Sequence, residues 1–103
     1  MPWGDWINEL PTAFFMVVHI AAFAIGATFA WVAFKREQTL LGLGFTLFAA
    51  AEVVYMTYHL DWTVFLFAHT IAEVLDLVAF VLVFAAAVVQ VAAARRPALE
   101  SGR

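Results

Sequence analysis

The chain has 103 residues, of which 66% are hydrophobic and only 13% are charged. A soluble domain of this size and composition would expose a large apolar surface to water. The composition therefore indicates a membrane protein. Its net charge of −3 and the placement of its acids inside apolar runs exclude the basic surface that nucleic-acid binding requires. The absence of cysteine excludes disulfides, thiolate metal sites, iron–sulfur clusters and covalent haem attachment.

The first predicted element is a short helix over residues 2–10 that lies in the membrane interface. Its apolar residues recur at helical spacing: Trp3, Trp6, Ile7 and Leu10. Tryptophan is typical of the headgroup level of a bilayer. The segment is acidic and has no basic n-region, so we do not expect a secretory signal peptide. Pro11 then fits the first turn of the next helix, where the missing N–H costs nothing.

Three apolar segments follow, and each is long enough to cross ~30 Å of hydrocarbon as a helix. We place them at residues 11–34, 39–60 and 62–94. The third is longer than one crossing needs, which predicts a tilted helix or one that projects from the membrane and ends at Arg95-Arg96-Pro97. The chain is therefore predicted to be a single all-α domain over residues 1–103, an integral membrane three-helix bundle in contact with lipid.

A stripe of small residues marks one side of the first span: Ala22, Gly26, Ala30 and Ala33. Small residues at this spacing let another helix approach closely. His19 lies on the same side, so we expect that side to face protein rather than lipid. Because three helices alone leave little protected interior, we also expect a homo-oligomer or a subunit of a larger membrane complex.

The charged residues outside the spans predict the orientation of the chain. Four basic residues fall on one side of a three-span bundle: Lys35, Arg36, Arg95 and Arg96. Three acids fall on the other side: Asp5, Glu9 and Asp61. Because cytoplasmic loops carry an excess of Lys and Arg, we expect a cell-membrane protein with its N-terminus outside and its C-terminus in the cytoplasm.

The most informative stretch is residues 67–77, because it carries three ionisable side chains at i, i+4 and i+7 within the third span: His69, Glu73 and Asp76. Such side chains are costly in a membrane and indicate function by default. The short turns between antiparallel spans put His19, Glu52 and His69 within about one helical turn of the same depth, ~10–13 Å below the outer surface. Glu73 is expected one turn deeper.

Nitrogen and oxygen ligands in one layer are typical of sites for divalent transition metals, so we predict a metal-binding or redox site. Its predicted ligands are His19, Glu52, His69 and Glu73. A dication would also neutralise acids that have no nearby Lys or Arg. Three further residues are candidates for additional polar or relay contacts: Asp76, Tyr55 and His59, the last level with the outer interface.

Three other functions stay open from the same residues. His19 and His69, at nearly one depth, suit a bis-histidine haem b subunit in electron transport, which needs no cysteine. Glu52, Glu73 and Asp76 suit relay sites in a proton- or cation-conducting oligomer. A structural accessory subunit of a respiratory or photosynthetic complex would use the polar layer to contact partner helices. The chain carries no catalytic motif, which favours a non-enzymatic role.

Half of the chain carries a resemblance to known proteins. Within residues 39–94, the stretches LLGLGFTLFAAAEVV and AHTIAEVLDLVAFVLVF lie on either side of a short turn. Two features are shared: a second span that contains glycines and one acid, and a third span that begins with A-H-T-I. In these features this half of the chain resembles small three-span membrane proteins of archaeal type whose function is uncharacterised. The resemblance implies a three-span topology and implies nothing about activity.

Overall fold

The computed structural model describes residues 3–101, with side chains over residues 3–95. The elements in chain order are a 3-10 helix, α1, α2 and α3, over Asp5–Glu9, Thr12–Lys35, Thr39–His59 and Phe65–Ser101. The described chain contains no strand, and all three α-helices are long and apolar enough to cross a membrane. The prediction of an all-α membrane three-helix fold is confirmed.

The helix boundaries follow the predicted spans closely for α1 and α2 and less closely for α3. The first two begin and end within one residue of the predicted limits. The third begins at Phe65 rather than at residue 62, because residues 60–64 form a longer turn in which Asp61 takes a left-handed φ of 64°. It also continues past the predicted stop, as far as Ser101.

The N-terminal element is shorter than the predicted helix over residues 2–10. It is a single 3-10 helix of 5 residues, and none of its residues is buried. Gly4 precedes it with a φ of 91°, a left-handed conformation that glycine adopts without steric cost. Pro11 lies in extended conformation at the N-cap of α1, one position before the first helical residue.

The three helices form one layer with α2 in the centre. Helix α2 packs against α1 on one side and α3 on the other, whereas α1 and α3 do not pack against each other within the described residues. The Cα atoms span 65 × 31 × 20 Å, so the molecule is elongated along its helices. Residues on α2 are therefore the only ones placed to contact both outer helices.

Small residues set the spacing within this layer. A Cβ on Gly26 would lie 2.7 Å from the ring of Phe48, and one on Gly44 would lie 2.8 Å from Val83. The buried apolar side chains are all alanine: Ala30, Ala33, Ala49, Ala51, Ala68, Ala72, Ala79 and Ala86. The small-residue side of α1 therefore faces protein, as predicted, and the protein that it faces is α2.

Replacement of Gly26 by Leu is expected to destabilise the protein by about 1–3 kcal/mol, because the new side chain would overpack the contact with Phe48. The measurement is thermal unfolding in detergent. Ala21→Leu is the matched control, since Ala21 is exposed on α1. Equal unfolding temperatures for the two variants would contradict the close approach of α1 and α2.

Candidate functional site

A histidine–carboxylate pair connects α1 to α2. The Nδ1 atom of His19 lies 2.5 Å from Oε2 of Glu52, within hydrogen-bonding distance, and the two side chains are only 17% and 12% exposed. Glu52 is the one buried charged residue of the described chain. The contact confirms that His19 and Glu52 lie at one depth, as the short turn between their helices predicts.

A second polar pair connects α2 to α3 and touches the first. The hydroxyl of Tyr55 donates to Oε1 of Glu73 over 3.1 Å. The ring of Tyr55 also stacks on the imidazole of His19, with ring centroids 5.2 Å apart and planes inclined by 17°. Tyr55 thus brings side chains from all three helices together. The sequence predicted it only as an additional polar contact, whereas in the structure it links His19 to Glu73.

A second histidine, His59, belongs to the same cluster. The ring of His59 lies 5.1 Å from that of His19 and stacks on Phe15 at 4.8 Å with nearly parallel planes. The sequence placed His59 level with the outer interface, and it lies at the end of α2. Its spacing agrees with this position, because Glu52, Tyr55 and His59 are i, i+3 and i+7 on α2 and share one face.

Asp76 is the deepest member of the group. Its Oδ1 atom is buried and has no hydrogen-bond partner among the described residues. It lies within electrostatic range of Glu52 and Glu73. It also borders an apolar cavity of about 300 Å³ between α2 and α3, which is lined mainly by phenylalanine and aliphatic side chains. A buried polar oxygen without a partner is rare in proteins and is expected to have a role.

His69 lies apart from the other predicted ligands. It is exposed on α3, and its ring stacks on Phe65 at 5.2 Å. Glu73, one helical turn further along α3, contacts Tyr55 of α2 instead. The role of His69 as a ligand beside Glu52 stays a prediction.

The residues that come together form what we call the polar cluster: His19, Glu52, Tyr55, His59, Glu73 and Asp76. No group of three or more His, Asp or Glu side chains within the described residues is arranged to hold a metal ion. No Lys or Arg occurs between Arg36 and Arg95 to neutralise the acids. The cluster therefore offers paired proton donors and acceptors in a setting where positive charge is scarce.

Comparison of the chain with protein families, characterised proteins and solved structures finds no match. The chemistry of the polar cluster is therefore the basis on which its function is inferred.

Proposed function

We propose that this chain is a small multi-pass membrane protein that binds and passes protons within the outer half of the bilayer through the polar cluster. One observation carries the proposal. Two hydrogen-bonded pairs, His19 with Glu52 and Tyr55 with Glu73, lie side by side, with the rings of His19 and Tyr55 stacked. Linked ionisable side chains inside a membrane are typical of proton relays.

The His19–Glu52 pair supplies the exchangeable proton. Imidazole gains and loses a proton near neutral pH. When His19 is protonated, transfer of its Nδ1 proton to Glu52 turns an ion pair into a neutral imidazole and a neutral carboxylic acid. Both states keep the hydrogen bond, and the neutral state avoids the cost of charge in a low-dielectric interior.

The second pair extends the cluster to α3, and Asp76 extends it toward the inner half of the membrane. Tyr55 holds one oxygen of Glu73 by its hydroxyl, and Asp76 follows on the same helix within electrostatic range of both glutamates. With no Lys or Arg among them, protons are the positive charge that these acids share. The order His19, Glu52, Glu73, Asp76 then crosses the cluster from α1 through α2 to α3 and ends at Asp76, the member farthest from the outer ends of the helices.

Glu52→Gln is expected to lower proton flux at least about tenfold, because the amide cannot take up the proton that His19 releases. The measurement is acidification of protein-containing liposomes that carry a pH-sensitive dye, driven by a potassium gradient with valinomycin. Glu37→Gln is the matched control, because Glu37 is exposed in the turn between α1 and α2. Wild-type flux equal to that of empty liposomes would refute the proposal.

The tyrosine hydroxyl is tested in the same assay. Tyr55→Phe keeps the ring that stacks on His19 and removes the donor to Glu73, so flux is expected to fall while the fold is retained. Tyr58→Phe is the control, because the Tyr58 ring packs on His59 and Phe65 without a side-chain hydrogen bond in the described residues. Equal proton flux in the two variants would show that the Tyr55 hydroxyl has no role in proton transfer.

A divalent transition metal held by His19, Glu52, His69 and Glu73 is the second candidate, favoured by the direct contact of the first two. If it is correct, purified protein carries stoichiometric metal, His69→Ala and Glu52→Gln each lose most of it, and their effects are not additive. Retention falls with decreasing pH, because only neutral imidazole binds a metal. Near-zero metal in all samples rejects it. A Soret band instead would identify haem b.

The proposed orientation is N-terminus outside and C-terminus in the cytoplasm. The amides of Gln38 and Gln90 are hydrogen-bonded, so the Arg95 end of α3 lies beside the turn that carries Lys35 and Arg36. Basic residues clustered at one end favour that end as the cytoplasmic one. A reporter fused after Arg103 should therefore be cytoplasmic, and the same reporter before Met1 should be external. The reverse pattern would contradict this orientation.

A further inference from the structure

One face of α3 is left uncovered by the rest of the chain. The buried alanines of α3 face α2, and a second stripe on its flank is exposed. We call this stripe the α3 seam; it consists of Leu66, His69, Glu73, Leu77, Phe80 and Phe84. Its members recur at alternating steps of mostly three and four residues, the spacing by which two parallel helices pack along their length.

Two members of the α3 seam are poorly suited to lipid. His69 makes no hydrogen bond within the described residues, and Glu73 uses only one of its oxygens, for the Tyr55 hydroxyl. Both lie within the segment of α3 that is apolar enough to cross a membrane. Hydrocarbon offers them no hydrogen-bond partner, and ionisable side chains within membrane spans almost always face protein or water. The α3 seam therefore requires a partner with polar groups at the same depth.

A second copy of the chain meets this requirement. All copies share one orientation in the membrane, so two α3 helices related by a two-fold axis along the membrane normal run parallel. In that arrangement a residue lies near the position four residues further along the other helix. His69 of each copy then lies beside Glu73 of the other, and a donor on one surface meets an acceptor on the other at two symmetric places.

We propose that two copies of this chain pair along the α3 seam, and that His69 of each copy bonds to Glu73 of the other. Glu73 then accepts hydrogen bonds from Tyr55 of its own chain and from His69 of the second copy. The second copy thereby contributes the histidine that lies apart from the polar cluster within a single chain. This pairing concerns assembly and does not depend on whether the cluster transfers protons.

Cysteine cross-linking in liposomes tests the face that is used. The chain has no cysteine of its own, so single substitutions report single positions. Leu66→Cys lies on the α3 seam and should form a disulfide-linked dimer on oxidation, because paired helices bring such positions within bonding range. Phe67→Cys is the control at the same depth, exposed but turned by about 100°. Equal cross-linking at both positions would overturn the proposal.

Mixing two variants tests the specific pair. His69→Ala dimers and Glu73→Ala dimers each lose both His69–Glu73 contacts, whereas a mixed dimer keeps one. Mixed pairs are measured by energy transfer between labelled copies in liposomes. The ratio of mixed dimers to the geometric mean of the two like dimers should therefore exceed its value for random pairing, about 2, by roughly three- to thirty-fold, the range for one polar contact between membrane helices. A statistical mixture would overturn the pairing of His69 with Glu73.

The pairing and the proton relay fail in different ways. Wild-type protein that stays monomeric in liposomes and still conducts protons would overturn the pairing and leave the relay standing. Cross-linking of the Leu66→Cys variant and an excess of mixed dimers, together with wild-type protein that conducts no protons, would support the pairing and refute the relay.

Discussion

The structure depends on the placement of ionisable side chains in hydrocarbon without a basic residue to neutralise them. A charged or strongly polar group is expensive in lipid, so each must be paired, protonated or covered. The chain meets this constraint with contacts between helices, since His19 pairs with Glu52 and Tyr55 with Glu73. Helix α2 is central because its Glu52 and Tyr55 are the groups within reach of both neighbours.

The interior differs from that of a soluble protein. Among residues 3–95, no large side chain is fully buried, and the buried positions are alanine and glycine with Glu52. Lipid chains are as apolar as leucine, so burying large apolar side chains between membrane helices yields little. Close backbone approach and polar contacts stabilise the assembly instead, which explains why the phenylalanines lie mostly on the outside while the glycines touch neighbouring helices.

Sequence reasoning predicted the class, the spans and the His19–Glu52 contact, because hydropathy and tight turns constrain them directly. It placed the start of α3 three residues too early, since turn length cannot be read reliably from composition and residues 60–64 extend the connection to α3. It also undervalued Tyr55. Whether a tyrosine anchors at an interface or bonds a carboxylate depends on which face of its helix meets a neighbour, and that is decided by packing.

The single-layer arrangement has a mechanical consequence. Because α1 and α3 do not pack against each other in the described chain, each is attached to α2 alone. A tilt of α1 about α2 would separate His19 from Glu52 and leave Tyr55 bonded to Glu73, whereas a tilt of α3 would do the opposite. The His19–Glu52 contact and the Tyr55–Glu73 contact can therefore open independently, because each depends on the movement of a different outer helix relative to α2.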